Sequence, residues 1–498
     1  MIAELVLFFA LLTLATTLVI ILPGAVRTPI WVGIPLAAVA AAGAAGGMYL
    51  LTRDFSAAEV LFGVALVLGL FGKSVVRRWS YMAALLMVSL LLAGTFYLVY
   101  SVLQAMADPL GPVVWAGSIV LLILELAALL LSVSYAWEVL DVLSRRRTPP
   151  PHLFDYNHHP YVALQVPTYN EPVEIVARTL ESLARLDYPH YMVQVVDNNT
   201  KDPDVWMPLE RLCEQLGPRF QFMHLEPWPG YKAGALNEAT RRLPPEVEVV
   251  GIIDADYTVK PRFLRDTVGH FADPKVAFVQ TPQHYRDWQD DRYLRGLFFS
   301  YRYFFDITMP ARDHRNAIIF AGTMGLIRRQ ALDWIGGWNT KTVTEDAEAS
   351  LRMLGLGFKG VYVPETYGEG MMPLSFDGLK KQRFRWALGG IQILRQHWRE
   401  MLPIGPHKLK LSMGQRIHYL LGSVQWFGDL LTALFTVLLL LTALLTVFHH
   451  RLPVREIIGP LTVVPLVFLI TGVGRALWAI RLTARCSFGD AFRCLRVW

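Results

Sequence analysis

The sequence predicts an α/β domain, built on a mostly parallel sheet, inserted between two groups of transmembrane α-helices. Three observations carry that prediction. Apolar runs long enough to cross a bilayer, about 20 residues each, crowd both ends of the chain and leave its middle polar. Within that polar middle, short apolar runs alternate with helical patterns, as in a parallel sheet covered on both faces. Composition agrees: the 498 residues are 53% hydrophobic and 18% charged, whereas a soluble chain usually carries about a quarter charged residues.

The apolar runs fall near residues 3–22, 30–52, 81–106, 112–140, 417–447 and 457–480. A shorter run, residues 57–72, reads either as a span or as a re-entrant segment. The first run has Glu4 where a signal peptide has its basic start, and no obvious small-residue cleavage site follows. It is expected to be a retained helix. Five N-terminal spans put the basic clusters at residues 73–78 and 145–147 on the cytoplasmic side and Asp108 outside, as the distribution of basic residues about membranes requires. The expected organisation is residues 1–140 as N-terminal membrane helices, 141–415 as a cytoplasmic domain with interfacial helices, and 416–498 as C-terminal membrane helices with an interfacial end at 481–498. Pro149-Pro150-Pro151 marks the hinge into the polar domain.

The net charge of +6 and pI near 9.1 come largely from basic residues beside apolar segments. That placement fits membrane lipid with anionic headgroups and argues against nucleic acid as a partner. Cys213, Cys486 and Cys494 make neither a disulfide framework nor a metal-ligand pattern. Glu125 lies in mid-span, and Asp429 follows Trp426 in the sixth run. Polar groups in a membrane are costly and often functional, so Glu125, Trp426 and Asp429 are channel candidates. Pairing with a neighbouring helix is the alternative for Glu125.

In the polar domain, residues 162–166 read as a strand ended by Pro167-Thr168-Tyr169-Asn170-Glu171-Pro172. Ile175, Val176, Leu180 and Leu183 then recur at helical spacing. Residues 193–196 form a second strand ending at Asp197, residues 221–223 a third, and residues 247–253 the clearest, ending at Asp254-Ala255-Asp256. Ligands of such sheets bind beyond the carboxyl ends of the strands, so Asp197 and the Asp254/Asp256 pair are expected at one crevice. A single aspartate there would merely cap a turn; two in one α/β unit argue for a site. On an extended segment, Asp254 and Asp256 would hold ribose or phosphate with one carboxylate and a cation with the other. Hard oxygen ligands beside a diphosphate select Mg²⁺ or Mn²⁺.

Lys232, in a loop before a helix, is a candidate phosphate partner. Thr344-Glu345-Asp346 precedes a helix marked by Ala349, Leu351 and Leu354. Acidic residues there either serve the helix dipole or supply a general base that takes the proton of an attacking hydroxyl. Gln382-Arg383-Phe384-Arg385-Trp386 lies on an amphipathic helix. Guanidinium forks suit a diphosphate and the indole face suits a sugar ring; a juxtamembrane basic-aromatic belt is the alternative.

With these motifs in hand, the chain resembles the processive family-2 glycosyltransferases typified by bacterial cellulose synthase catalytic subunits, from about residue 162 to at least 488. The resemblance implies a GT-A-like, Rossmann-like fold for the polar domain. It implies that Thr168, Tyr169, Glu171 and Asp197 bind the uridine end of the donor, with Lys232 and Asp254 near ribose and phosphates. Asp256, with Asp254, would bind the metal. Asp346 would be the base within the catalytic Thr344-Glu345-Asp346. Gln382, Arg383 and Arg385 would contact the diphosphate, and Trp386 with Phe320-Ala321-Gly322-Thr323 the acceptor.

The implied partners are a UDP-sugar (UDP-glucose foremost), a growing polysaccharide, membrane lipids and accessory export subunits. The implied location is a bacterial plasma membrane, with β-glucan made inside and exported through the protein's own helices. Three features depart from cellulose synthases. Asp197-Asn198-Asn199-Thr200 stands where two aspartates and a glycine are usual, which looks more like related β-glucan synthases, including β-1,3-glucan synthases. Ala321 and Thr323 replace a cysteine and a serine. Neither the gating-loop motif nor a cyclic-di-GMP-binding domain is found. Other readings are a single transfer to a ceramide or polyprenyl phosphate, and a non-catalytic transporter or scaffold; the lack of inverted repeats argues against the transporter.

Overall fold

The computed structural model describes residues 2–107, 112–145, 152–447 and 460–497. Asp108, Arg146, Arg147, the triple proline and Trp498, all used in the sequence argument, lie outside the described residues. Contacts divide the chain into two units, residues 1–149 with 425–491, and residues 150–424 with 492–498.

The first unit is helical. Among the described residues, six helices are long and apolar enough to cross a membrane: Ile2–Ile21, Ile30–Thr52, Phe55–Val75, Tyr81–Met106, Trp115–Leu143 and Val463–Thr483. The ambiguous run at 57–72 is therefore a helix of spanning length. It starts where the Asp54 carboxylate accepts the Ala57 N–H at 2.9 Å, satisfying an end-of-helix donor. Ala37, Ala40, Ala41, Ala44 and Ala45 form the buried face of Ile30–Thr52, small residues that let helices approach closely. Glu125 takes the pairing alternative: its carboxylate accepts from the Tyr97 hydroxyl at 2.5 Å and from Ser101 at 3.1 Å, both on the neighbouring helix.

The run expected at 417–447 is not one helix, which corrects that reading. Met413–Val424 packs with the polar unit, a 3₁₀ turn follows at Gln425–Phe427, and Gly428–Val447 continues as a 20-residue apolar helix. The reason is polar: Gln415 donates to the Asn316 carbonyl at 2.7 Å and Arg416 to the Leu402 carbonyl at 3.0 Å, holding the first segment to the polar unit. Trp426 lies in the 3₁₀ turn. The Asp429 side chain falls outside the described residues. Cys213, Cys486 and Cys494 form no disulfide.

The second unit is the expected α/β sandwich. Its strands are β1 (Val162–Thr168), β2 (Tyr191–Asn198), β3 (Phe220–Leu225), β4 (Val249–Ile252), β5 (Thr258–Val259), β6 (Val276–Gln280), β7 (His284–Tyr285), β8 (Gly325–Arg328), β9 (Lys359–Tyr362) and β10 (Gly368–Gly370). Seven make the main sheet in the order β3-β2-β1-β4-β8-β6-β9, and β5-β10-β7 form a small second sheet. All main-sheet pairings are parallel except those of β8, which runs antiparallel between β4 and β6.

Alternation along the strands fills two cores. Val162, Leu164, Val166, Val193 and Val195 pack under Val176, Leu180 and Leu183 of the helix Val173–Ala184. Ala163, Met192, Val250, Ile252 and Phe278 pack on the other face against Leu351, Leu354 and Ile393. Gln165 and Gln194, fully enclosed at paired register positions, bond to each other at 3.1 Å, as buried polar groups must.

Candidate active site

The site begins at the carboxyl ends of β1, β2 and β3, where Thr168, Asp197 and His224 stand side by side in register. Asp197 is only 1% exposed. Its carboxylate accepts from Thr168 at 3.2 Å, Thr200 at 2.6 Å and His224 Nδ1 at 2.7 Å. Trp206 stacks flat on His224, with centroids 4.3 Å apart. Tyr169 points to solvent at 60% exposure. Glu171 reaches the other carboxylates: burial pushes its carboxyl upward, and Asp256 and Asp254 add to the rise.

The next group lies beyond β4. Asp254-Ala255-Asp256 is not extended, as the sequence reading had it, but a turn closed by the Tyr257 N–H on the Asp254 carbonyl at 3.1 Å. The turn aims the two carboxylates differently. Asp254 accepts Lys232 Nζ at 2.7 Å, and its backbone N–H bonds Thr323 Oγ1 at 2.9 Å. Asp256 accepts the Met371 N–H at 2.9 Å, and burial raises its carboxyl. Lys232 also corrects its expected loop position: it lies in the first turn of the helix Tyr231–Arg241. Burial opposes its charge, but Asp254, Glu345 and Asp346 outweigh that and raise its pKa.

Glu345 and Asp346 open the helix Glu345–Gly355, with Thr344 at its cap. Burial first, then the Glu345 charge, raises the Asp346 carboxyl to about 7; Glu345 is raised by burial against the pull of Lys232 and Arg385. The 320–323 segment is pressed onto this carboxylate. Gly322 has φ +83°, and a Cβ there would lie 2.4 Å from Asp346 Oδ2. Gly322→Ala should therefore displace Asp346 and cut turnover by roughly a hundredfold, measured as kcat with donor binding followed separately. Phe320 does not face a ligand. It is fully buried, against Phe278 and Trp338, which corrects its expected acceptor contact: an aromatic ring in that position belongs to the core.

Gln382, Arg383, Arg385 and Trp386 lie on the helix Phe376–Met401. The helix approaches Thr344 so closely that a Cβ on Gly389 would fall 2.2 Å from its hydroxyl. His397 bonds Glu348 at 2.9 Å and Gln392 accepts the Val343 N–H at 3.0 Å, tying the helix to the Thr344-Glu345-Asp346 segment. Gln382 accepts from the Tyr301 hydroxyl, and Trp386 meets the Tyr301 ring edge-on at 5.8 Å.

The structure thus brings Lys232, Asp254, Gly322, Thr323, Glu345, Asp346 and Arg385 together, with Glu171 and Asp256 adjoining. It places Thr168 and Asp197 at the neighbouring strand ends. Sequence reasoning missed His224, Gln280 and Gln283. Gln280 accepts the Ala321 N–H at 2.8 Å and donates to the Thr323 carbonyl at 2.9 Å, while Gln283 donates to the Ala321 carbonyl at 2.7 Å. The available signal was a glutamine ending the apolar strand at residues 276–279.

A divalent cation fits these groups in one way. Among the described residues, no cluster of three His, Cys, Asp or Glu side chains makes a closed cage. Asp254 and Asp256 offer two carboxylates, a donor set that suits a hard divalent cation whose remaining positions are filled by other oxygen ligands and water.

The model of the glycosyl transferase family group 2 matches residues 249–477. The catalytic subunit of a UDP-forming cellulose synthase from Komagataeibacter sucrofermentans is 32% identical over 317 residues, covering 62% of this chain and 40% of that protein. Glucomannan 4-beta-mannosyltransferase 7 of Arabidopsis thaliana is 31% identical over 246 residues, 48% of this chain and 44% of the relative. A Pyrobaculum calidifontis mannosyltransferase, solved with GDP-mannose and Mn²⁺, is similar at 20% identity and a TM-score of 0.45, over 71% of this chain and 99% of that one. The match thus spans about two fifths of the length of the cellulose synthase relative. Residues 249–477 thus match the glycosyl transferase family group 2, and about three fifths of the chain is similar to bacterial cellulose synthase catalytic subunits at 30–32% identity.

Proposed function

We propose that the protein is a membrane-embedded inverting β-glycosyltransferase that adds glucose from UDP-glucose to a growing β-glucan and passes the polymer across the membrane. The observation that carries this reading is the convergence of Lys232, Asp254, Glu345 and Asp346 on one crevice at the strand ends. The UDP-forming cellulose synthases among the relatives support the donor, and the apolar helices support a membrane setting.

In this mechanism Thr168, Glu171 and Asp197 bind the uridine end, Asp197 being fixed by three internal donors. Asp254 and Asp256 would hold Mg²⁺ or Mn²⁺, which when bound supplies positive charge beside the diphosphate. The acceptor hydroxyl oxygen attacks the anomeric carbon from the face opposite the diphosphate and passes its proton to Asp346. The bond from that carbon to the diphosphate oxygen breaks, and UDP leaves with the electron pair. Attack from the opposite face inverts the centre, so an α-linked donor yields a β-linkage. Lys232, Arg383 and Arg385 stabilise the departing charge, and Trp386 carries the acceptor sugar.

Labelled UDP-glucose given to the full chain in detergent should yield long, glucanase-sensitive product, and linkage analysis then assigns β-1,3 or β-1,4. A single lipid-linked sugar would instead establish the single-transfer reading. No incorporation from any UDP-sugar would overturn both.

A further inference from the structure

Asn199 lies just beyond β2 with φ +64°, a backbone state that asparagine tolerates better than most residues. Its side chain grips one remote residue twice. Oδ1 accepts the Trp228 N–H at 2.7 Å, and Nδ2 donates to the Trp228 carbonyl at 2.8 Å. The amide thus satisfies both backbone groups of Trp228, which no strand ladder serves.

Trp228 is held from its other end as well. Its indole N–H donates to the Gly234 carbonyl at 3.0 Å, and its ring packs on the cluster of Val196, Leu225, Ala235 and Ala239. Gly234 leaves room for the crossing chain: a Cβ there would lie 2.0 Å from the Pro229 carbonyl oxygen. Residues 228–230 are therefore strapped across the first turn of the helix Tyr231–Arg241. That turn carries Lys232, whose Nζ meets Asp254 at 2.7 Å and the Gly322 carbonyl at 3.4 Å.

We propose that Asn199 is a positioning residue for Lys232: its paired bonds to Trp228 hold the strap that sets the lysine for the donor's diphosphate. This inference rests on the donor-site reading given above. Asn199 touches no donor atom in it. Its effect reaches the donor only through the strap and the lysine.

The test is a double-mutant cycle on the full chain in detergent, titrating UDP by calorimetry with Mn²⁺ present. Asn199→Gly suits the positive φ and removes the clamp, together with the bond from Asn199 Nδ2 to Asn198 Oδ1 at 2.9 Å. It should weaken UDP binding roughly three- to tenfold, as loss of two hydrogen bonds implies, and raise the donor KM more than it lowers kcat. In a Lys232→Ala background the same change should alter affinity less than about twofold, the non-additivity expected when one residue acts through another. Asn199→Asp, which keeps the acceptor and loses the donor, should lie between wild type and Asn199→Gly; it also serves if the glycine variant does not fold. Unchanged UDP affinity in Asn199→Gly, or full additivity with Lys232→Ala, overturns the proposal. If Lys232→Ala itself binds UDP like wild type, the donor-site reading fails, and the proposal with it.

Discussion

Asp346→Asn should retain UDP binding and lose turnover by roughly 10²- to 10⁴-fold, the usual contribution of a positioned general base. The amide is isosteric and keeps an oxygen able to accept the Ala347 N–H, which Asp346 Oδ1 receives at 2.7 Å. The fold and the Gly322 contact should therefore survive. What it loses is the capacity to take a proton. Calorimetric titration of UDP beside single-turnover kinetics separates the two effects; a variant with wild-type turnover would remove Asp346 from the mechanism.

The same residue sets a pH dependence with a definite sign. Burial and Glu345 raise its carboxyl to about 7 in the donor-free enzyme. A base must be unprotonated, so kcat/KM should fall as pH drops through that region, about tenfold per unit below it. A cation and diphosphate bound nearby change the local charge. The limb seen in kcat should therefore shift from the limb in kcat/KM, toward lower pH if the cation's charge dominates. A flat kcat/KM between pH 5 and pH 8 would contradict the assignment.

Asp256→Asn should depress kcat/KM by roughly a thousandfold, several kcal/mol of lost charge stabilisation around the leaving diphosphate. Its amide oxygen still accepts the Met371 N–H, so the thermal midpoint should hardly move. The loss should appear instead as UDP binding that no longer responds to Mn²⁺ or Mg²⁺. Chelation should bring the parent protein to the same level. If the variant and the chelated parent both keep full activity, the two carboxylates hold no cation.

Much of the architecture was legible because its signals are local. Length and apolarity marked the spans, and alternating strand and helix patterns marked the sheet. The antiparallel β8 was not anticipated, because four residues, Gly325–Arg328, carry no direction in their pattern; neighbours on both sides impose it. The break at Gln425–Phe427 was hidden for a similar reason: an apolar run reads as one helix until Gln415 and Arg416 find carbonyls elsewhere in the polar unit. Phe320 shows the converse error. A motif position implied a ligand contact, yet the ring is enclosed against Phe278 and Trp338.

By itself the chain determined which groups were available: carboxylates at strand ends, arginines and a tryptophan on one helix, and apolar helices at either end. Such properties follow from residue type and near-neighbour spacing. Tertiary structure alone decided which groups meet. Lys232 and Asp254 are 22 residues apart and Lys232 and Gly322 are 90 apart, and only the parallel sheet and its crossing helices bring them into contact. The raised carboxyl of Asp346 has the same origin. Burial and a neighbouring charge are properties of packing, and no stretch of sequence states them before the chain folds.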